Sequence, residues 1–181
     1  HDADLQYMNR AHSGKEARDC LGQALAVGFN HLSVDFIYGT PTMSDEQWRY
    51  NLRTAFAYAI PHISCYALTV EPKTALQHMI AKGKTTEVSE EQTARQFEIL
   101  LAETKAQHYE QYEISNFCRP PHYACHNSSY WRGAHYLGVG PSAHSFNGYS
   151  RQWNVANNAK YIKALENNEL AFEVKQLSPQ D

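Results

Sequence analysis

Nowhere in the chain does an apolar run approach the roughly 20 residues that crossing a bilayer requires, so no membrane-spanning helix is expected. The first residues, His1-Asp2-Ala3-Asp4, are polar and lack the apolar stretch of a secretory signal. An initiator Met is lacking as well, and the expectation is a chain cut or processed from a longer one. Basic charge is not in excess: the formal net charge is -3, and Lys and Arg are not clustered, which removes the electrostatic case for nucleic acid. Cysteine is scarce, with four residues in 181, and no two stand at the two- or three-residue spacing that grips a metal from one loop. Cys20 and Cys65 fall inside apolar runs and are expected as buried thiols; a disulfide is not expected in a cytoplasmic protein of this size.

What is present is a globular composition, 43% hydrophobic and 19% charged, with twelve Tyr and ten His. That aromatic supply suits either a planar ligand or simply an aromatic core. Three helix starts carry one signature: Ser13-x-x-Glu16, Ser44-x-x-Gln47 and Ser89-x-x-Gln92 fit capping boxes, in which hydroxyl and N3 side chain satisfy orphan N–H groups reciprocally. Stripes at helical spacing follow: Ala17, Cys20, Leu21, Ala24 and Leu25 up to Gly28; Trp48, Leu52, Ala55, Phe56 and Ala59 up to Pro61; and Phe97, Leu100, Leu101 and Thr104. Strands are expected from His31 to Tyr38, from His62 to Val70 and from Tyr109 to Phe117. Strand and helix alternating in this way indicate βαβ units and a parallel sheet, from a barrel or from a doubly wound fold. Beyond Phe117, Gly and Pro punctuate an aromatic stretch without a clean period, which reads as ordered loops with short strands. A helix at about Val155 to Asn167, a strand from Leu170 to Val174, and a helix cap at Ser178-Pro179-Gln180-Asp181 close the chain.

Four places could carry chemistry. Arg10, just before the first long helix, could grip a carboxylate bidentately or be a solvated surface Arg. Asp35 interrupts an apolar strand, where an uncompensated carboxylate is costly. Ligands in parallel α/β sheets bind beyond the carboxyl ends of strands, so Asp35 could accept both hydroxyls of a ribose or be satisfied by neighbouring helices. Ala67, in Tyr66-Ala-Leu-Thr-Val-Glu-Pro72, leaves room for a flat ring against its backbone, or is simply a small residue in a packed strand. The densest run holds His126-Asn-Ser-Ser-Tyr-Trp131 and Gly138-Val-Gly-Pro-Ser-Ala-His-Ser145. There a neutral His126 could ligate haem iron with Tyr130 and Trp131 stacking on the macrocycle. The same polar residues could instead pin an irregular loop. A zinc site from Cys118, His122, Cys125 and His126 has irregular spacing, and a hydrolase built on Ser142, His144 and Ser145 lacks a nucleophile elbow.

The order of these strings carries more than any one of them. Asn9-Arg-Ala-His12, Ser33-Val-Asp-Phe-Ile-Tyr-Gly-Thr-Pro41, Tyr66 to Pro72, Tyr112-Glu-Ile-Ser-Asn-Phe117, His126 to Trp131, Tyr136 to Ser145 and Arg151-x-x-Asn154 follow one another. Together they resemble the HemW branch of the oxygen-independent coproporphyrinogen oxidase family of radical S-adenosylmethionine (SAM) proteins. The resemblance implies an α/β fold: the carboxy-terminal part of a partial (β/α)6, TIM-like barrel over residues 1–117, then the start of a smaller α+β region, truncated, over residues 118–181. It implies SAM and a [4Fe–4S] cluster in the parent. Arg10 matches the arginine at the SAM carboxylate, Asp35 the ribose-binding aspartate, Ala67 a backbone contact to adenine, and His126 the haem-associated histidine. The implied function is haem binding and transfer in the cytoplasm. Oxidative decarboxylation of porphyrinogen propionates is the alternative, and a radical enzyme on another substrate is a third possibility. The family's Cys-x-x-x-Cys-x-x-Cys motif is absent, so no metal ligands and no catalytic activity are expected of this chain by itself. An opened barrel exposes a strand edge, and self-association through the strand from His31 to Tyr38 is expected.

Overall fold

Each of the three serines does start a helix in the computed structural model, which describes residues 1–178. Ser13 and Ser44 form reciprocal boxes with Glu16 and Gln47 at the heads of α2 (Gly14–Val27) and α3 (Asp45–Ala57). Ser89 caps α5 (Glu90–Ala106) through the Gln92 N–H, while the Gln92 amide is spent elsewhere, on the carbonyls of Thr40 and Met43. A short α1 (Asp2–Tyr7) precedes these, and α4 (Ala75–Ala81) lies between. Helix α2 ends on Gly28 in the left-handed region, which only glycine enters without strain. Helix α3 stops at Ala57, short of the expected Ala59: Ala59 takes φ 53° and Ile60 turns back into the core.

The residues from His1 to Ala124 form one compact unit and those from Cys125 onward another. In the first unit, β1 (Ser33–Tyr38) and β2 (His62–Ala67) pair in parallel across α3, as a βαβ unit. The third strand departs from expectation. Tyr109 to Phe117 is a hairpin, β3 (Glu110–Gln111) and β4 (Asn116–Cys118), and β4 runs antiparallel to β2. Its intervening turn is held by the Ser115 N–H donating to Glu113. The sheet order is β1-β2-β4-β3, so the sheet is mixed and β1 is an edge strand.

Pairing fixes which residues share a face. Ile63, Cys65 and Phe117 pack with Val34 and Phe36 against Trp48, Leu52, Ile99 and Leu100 of α3 and α5, and this layer is the core. The other face carries Ser33, Asp35 and Ile37 beside His62, Ser64 and Tyr66, with Asn116 beyond. Trp48 is wholly buried, lies against Phe36 and Tyr38, and donates its indole N–H to the Gln96 carbonyl. Cys65 is buried as expected, but Cys20 is exposed, because α2 contributes Leu21 to the core edge and has no buried residue of its own.

The second unit contains α6 (Cys125–Trp131), a three-stranded antiparallel sheet and α7 (Asn158–Glu166). The sheet order is β5 (His144–Phe146), β6 (Ser150–Asn154), β7 (Phe172–Gln176). Where loops were expected, His126 to Trp131 is helical. Helix α7 starts three residues later than expected because Asn157 caps it. Gly138 N–H donates to Ser145, and Asn154 holds the carbonyls of Gly138 and Gly140. A side chain at 138 would come within 2.1 Å of the His144 carbonyl oxygen, so this turn requires glycine. The cap expected at Ser178 to Asp181 falls at Pro179–Asp181 outside the described residues.

Candidate functional site

Asn9 closes α1 by adopting φ 54°, a conformation Asn tolerates, and the Arg10 N–H then folds back onto the Leu5 carbonyl at 2.8 Å. This turn sets Arg10 on the wall of a cavity of about 540 Å3 in the first unit. Asp35 lines the same cavity from β1, with Ile37, Tyr66 and Met43. Asp35 is exposed rather than buried, so its carboxylate keeps its water and is open to a ligand. Ala67 is exposed at the end of β2, paired with Tyr38; it does not line the cavity, which its neighbour Tyr66 does. Arg10 and Asp35 are thus brought together, and Ala67 stands one residue away.

The rim beside them is the loop from Gly39 to Ser44. Gly39 has φ 83°, and a Cβ there would meet Thr93 of α5 at 2.6 Å, so glycine lets the two elements approach. Gln96 accepts from the Gly39 N–H at 2.8 Å and donates to the Met43 carbonyl at 3.0 Å. From the opposite side, Asp4 of α1 accepts from the hydroxyls of Thr40 at 2.9 Å and Thr42 at 2.5 Å. Sequence reasoning missed Asp4 and Gln96. The signal was an Asp and a Gln within helices whose neighbouring apolar residues should have turned inward.

On the sheet's polar face His62 is buried between Ser33 Oγ and Tyr112 Oη, each at 2.7 Å. Ala124 N–H donates to the same Tyr112 oxygen at 3.3 Å. Burial pushes the His62 pKa down, against smaller opposing effects of Asp35 and Glu113. Burial also raises Cys65 far above the ordinary thiol range and Cys118 to about 11, so both are protonated at neutral pH. Among the described residues no group of three or more His, Cys, Asp or Glu could hold a metal ion. The thiols of this chain, which lack the Cys-x-x-x-Cys-x-x-Cys spacing, do not fit an iron–sulfur cluster.

In the second unit His126 is exposed on α6, and Tyr130, one turn later, meets its ring edge-on at 5.1 Å. Tyr130 in turn packs on Tyr136 at 5.1 Å, and Trp131 is largely exposed. His144 stacks on Trp153 at 6.0 Å, an arrangement unlike a nucleophile's base.

No family model matches the chain. It is 36% identical over 161 residues to the haem chaperone HemW of Mycobacterium tuberculosis, covering 89% of this chain and 41% of that protein. The HemW of Bacillus subtilis is 33% identical over the same length of alignment, with 42% of it covered. The chain belongs to the HemW/HemN radical SAM family. A mitochondrial radical SAM domain-containing protein 1 of Mus musculus is 32% identical over 79% of the chain. The solved structure of the radical SAM enzyme coproporphyrinogen III oxidase (HemN) from Escherichia coli superposes with a TM-score of 0.79 over 98% of this chain, at 18% identity. That likeness concerns the fold, which is mixed α/β. The chain spans about two fifths of the curated HemW relatives and 44% of the HemN chain. Family membership implies SAM and a [4Fe–4S] cluster in the whole protein. No helix among the described residues is long and apolar enough to cross a membrane.

Proposed function

We propose that the chain is part of a HemW-like radical SAM protein of the cytoplasm that binds haem and hands it on. Residues 1–117 serve as the later part of a partial (β/α)6 barrel, and residues 118–181 as the region that meets haem. In the first, the Arg10 guanidinium takes the carboxylate of SAM, Asp35 the ribose hydroxyls, and the backbone at Ala67 the adenine edge. Bound SAM would supply the nucleoside and, with a cluster held outside this chain's own thiols, the radical chemistry of the family. Since the chain has no cluster ligands, it is expected by itself not to form 5′-deoxyadenosine. In the second, His126 meets the iron and Tyr130 keeps its ring edge-on.

The observation that carries the nucleoside assignment is that Arg10 and Asp35 line one cavity. The haem assignment is supported by the 36% identity to a haem chaperone and by the exposed His126 with Tyr130 on one helical turn. HemN-type decarboxylation is the less supported alternative, resting on an 18% identical fold relative. The unpaired edge of β1 supports strand-to-strand self-association of the isolated chain.

Haem titration of the full-length protein beside its His126→Ala variant tests this reading. A Soret shift in the first that is lost in the variant is the expected result. Absence of haem binding by the intact protein overturns the chaperone reading, and full affinity in the variant removes His126 from it.

A further inference from the structure

Helix α1 is only six residues long, and among them Asp4 alone is buried, at 2% exposure. No apolar residue of this helix is fully buried, Leu5 and Tyr7 being only partly covered, so hydrophobic packing is not the main hold on it. Its other ties are peripheral: Asp2 accepts from the Gly14 N–H at 2.7 Å and Tyr7 donates to the Thr86 carbonyl at 2.8 Å, both exposed. The buried tie is Asp4 Oδ1, which takes both the Thr40 and the Thr42 hydroxyl. Its second oxygen, Oδ2, has no hydrogen-bond partner and lies 3.8 Å from the His1 amino group.

The two threonines sit on the segment that leaves β1, two and four residues past Tyr38. That segment is itself fixed from the other side, where Gln96 receives the Gly39 N–H and Gln92 binds the Thr40 carbonyl. At the far end of α1, Arg10 is locked back onto Leu5. An unbroken series of short links therefore runs from the Arg10 backbone through α1, Asp4 and Thr40 to the strand bearing Asp35. Asp4, Arg10 and Asp35 all border the same cavity. Groups that grip two ends of one ligand work only if the elements bearing them are held in register, and hydrogen bonds behind the contact residues supply that.

We infer that Asp4 is a positioning residue: it latches α1 to the β1–α3 loop and thereby sets the distance between the carboxylate-gripping Arg10 and the ribose-gripping Asp35. The inference rests on the proposed roles of Arg10 and Asp35. Those roles are tested separately by the Arg10→Ala arm of the experiment below.

Binding of S-adenosylhomocysteine and of adenosine is measured by calorimetry, with a melting curve for each protein. Adenosine carries the ribose and base but not the thioether and amino-acid end of S-adenosylhomocysteine, so the ratio of the two affinities reads the holding of that end, and its change in Arg10→Ala reads Arg10's share. In the unaltered chain S-adenosylhomocysteine binds about tenfold tighter or more, the worth of one charge-assisted contact. Arg10→Ala is expected to erase that preference; if it does not, the assignment of Arg10 falls and the latch with it. Asp4→Leu fills the buried position with an apolar side chain that accepts nothing. It is expected to erase most of the preference while adenosine binds as before. Asp4→Asn keeps an acceptor for both hydroxyls and is expected to restore the preference. Should Asp4→Leu fail to fold, the Thr40→Val, Thr42→Val double variant removes the same two bonds from the other side and is expected to read the same. An unchanged ratio in the latch variants, or an equal loss for both ligands, overturns the positioning role.

Discussion

A carboxylate or imidazole at 2% to 4% exposure tells more about its neighbours than about itself, and His62 is the case with a measurable consequence. It is held neutral between Ser33 and Tyr112, with its pKa lowered by burial. The folded state thus has a weaker hold on the proton than the unfolded chain, whose histidine titrates near about 6.5. Stability linked to His62 is complete above that pH and is lost as the pH falls below it, because the unfolded state takes up the proton first. Melting temperatures from pH 7.5 down to 5 should fall in the unaltered chain, and His62→Gln should flatten part of that slope. An equal slope in both would assign the acid sensitivity to other groups. Such burial was not legible in the sequence, where His62 merely begins a strand. Arg10 and Asp35 stood out in the sequence for their chemistry, an arginine before a helix and a carboxylate interrupting an apolar strand, and the structure sets both on one cavity wall, with Asp35 exposed rather than buried. Ala67 was read as a small residue leaving room against its backbone; it is its neighbour Tyr66 that lines the cavity.

Helix starts were the most readable elements, since a serine three residues before Glu or Gln needs only local geometry to work. All three helices begin there, and the one incomplete box is explained by tertiary demand for the Gln92 amide. Strand direction was not readable, because alternation of side chains is identical in parallel and antiparallel ladders; the hairpin from Glu110 to Cys118 depended on a turn at Tyr112 to Ser115 with neither Gly nor Pro. Helix α6 was missed because Asn, Ser, Tyr and Trp are indifferent helix formers and its sequence has no apolar stripe. One tight element junction is Gly39 against α5. Gly39→Ala combines a positive φ with a 2.6 Å clash on Thr93, and should cost roughly 1–3 kcal/mol in chemical denaturation. Adding Thr93→Ala should recover only part of it, leaving the backbone strain; full recovery would mean that the clash was everything.

Over the whole molecule the two units differ in kind. The first has a core of wholly buried Trp48, Leu52, Ile63, Leu100 and Phe117, whereas none of the described residues from Cys125 onward is buried. No composition figure foretold that, since Leu137, Val139 and Tyr149 count as hydrophobic in any tally although they face solvent. The cysteines divide by exposure as well: Cys20 and Cys125 are exposed, Cys65 and Cys118 buried with raised pKa values. Mass spectrometry after brief maleimide treatment at neutral pH should find two adducts on the folded chain and four after denaturation. Four adducts on the folded chain would contradict the packing of Cys65 and Cys118. One reactive thiol thus sits in each unit, on α2 in the first and at the head of α6 in the second. This chain carries one exposed attachment point for a dye in each unit, so fluorescence transfer between the labels can report on the spacing of the two units in solution.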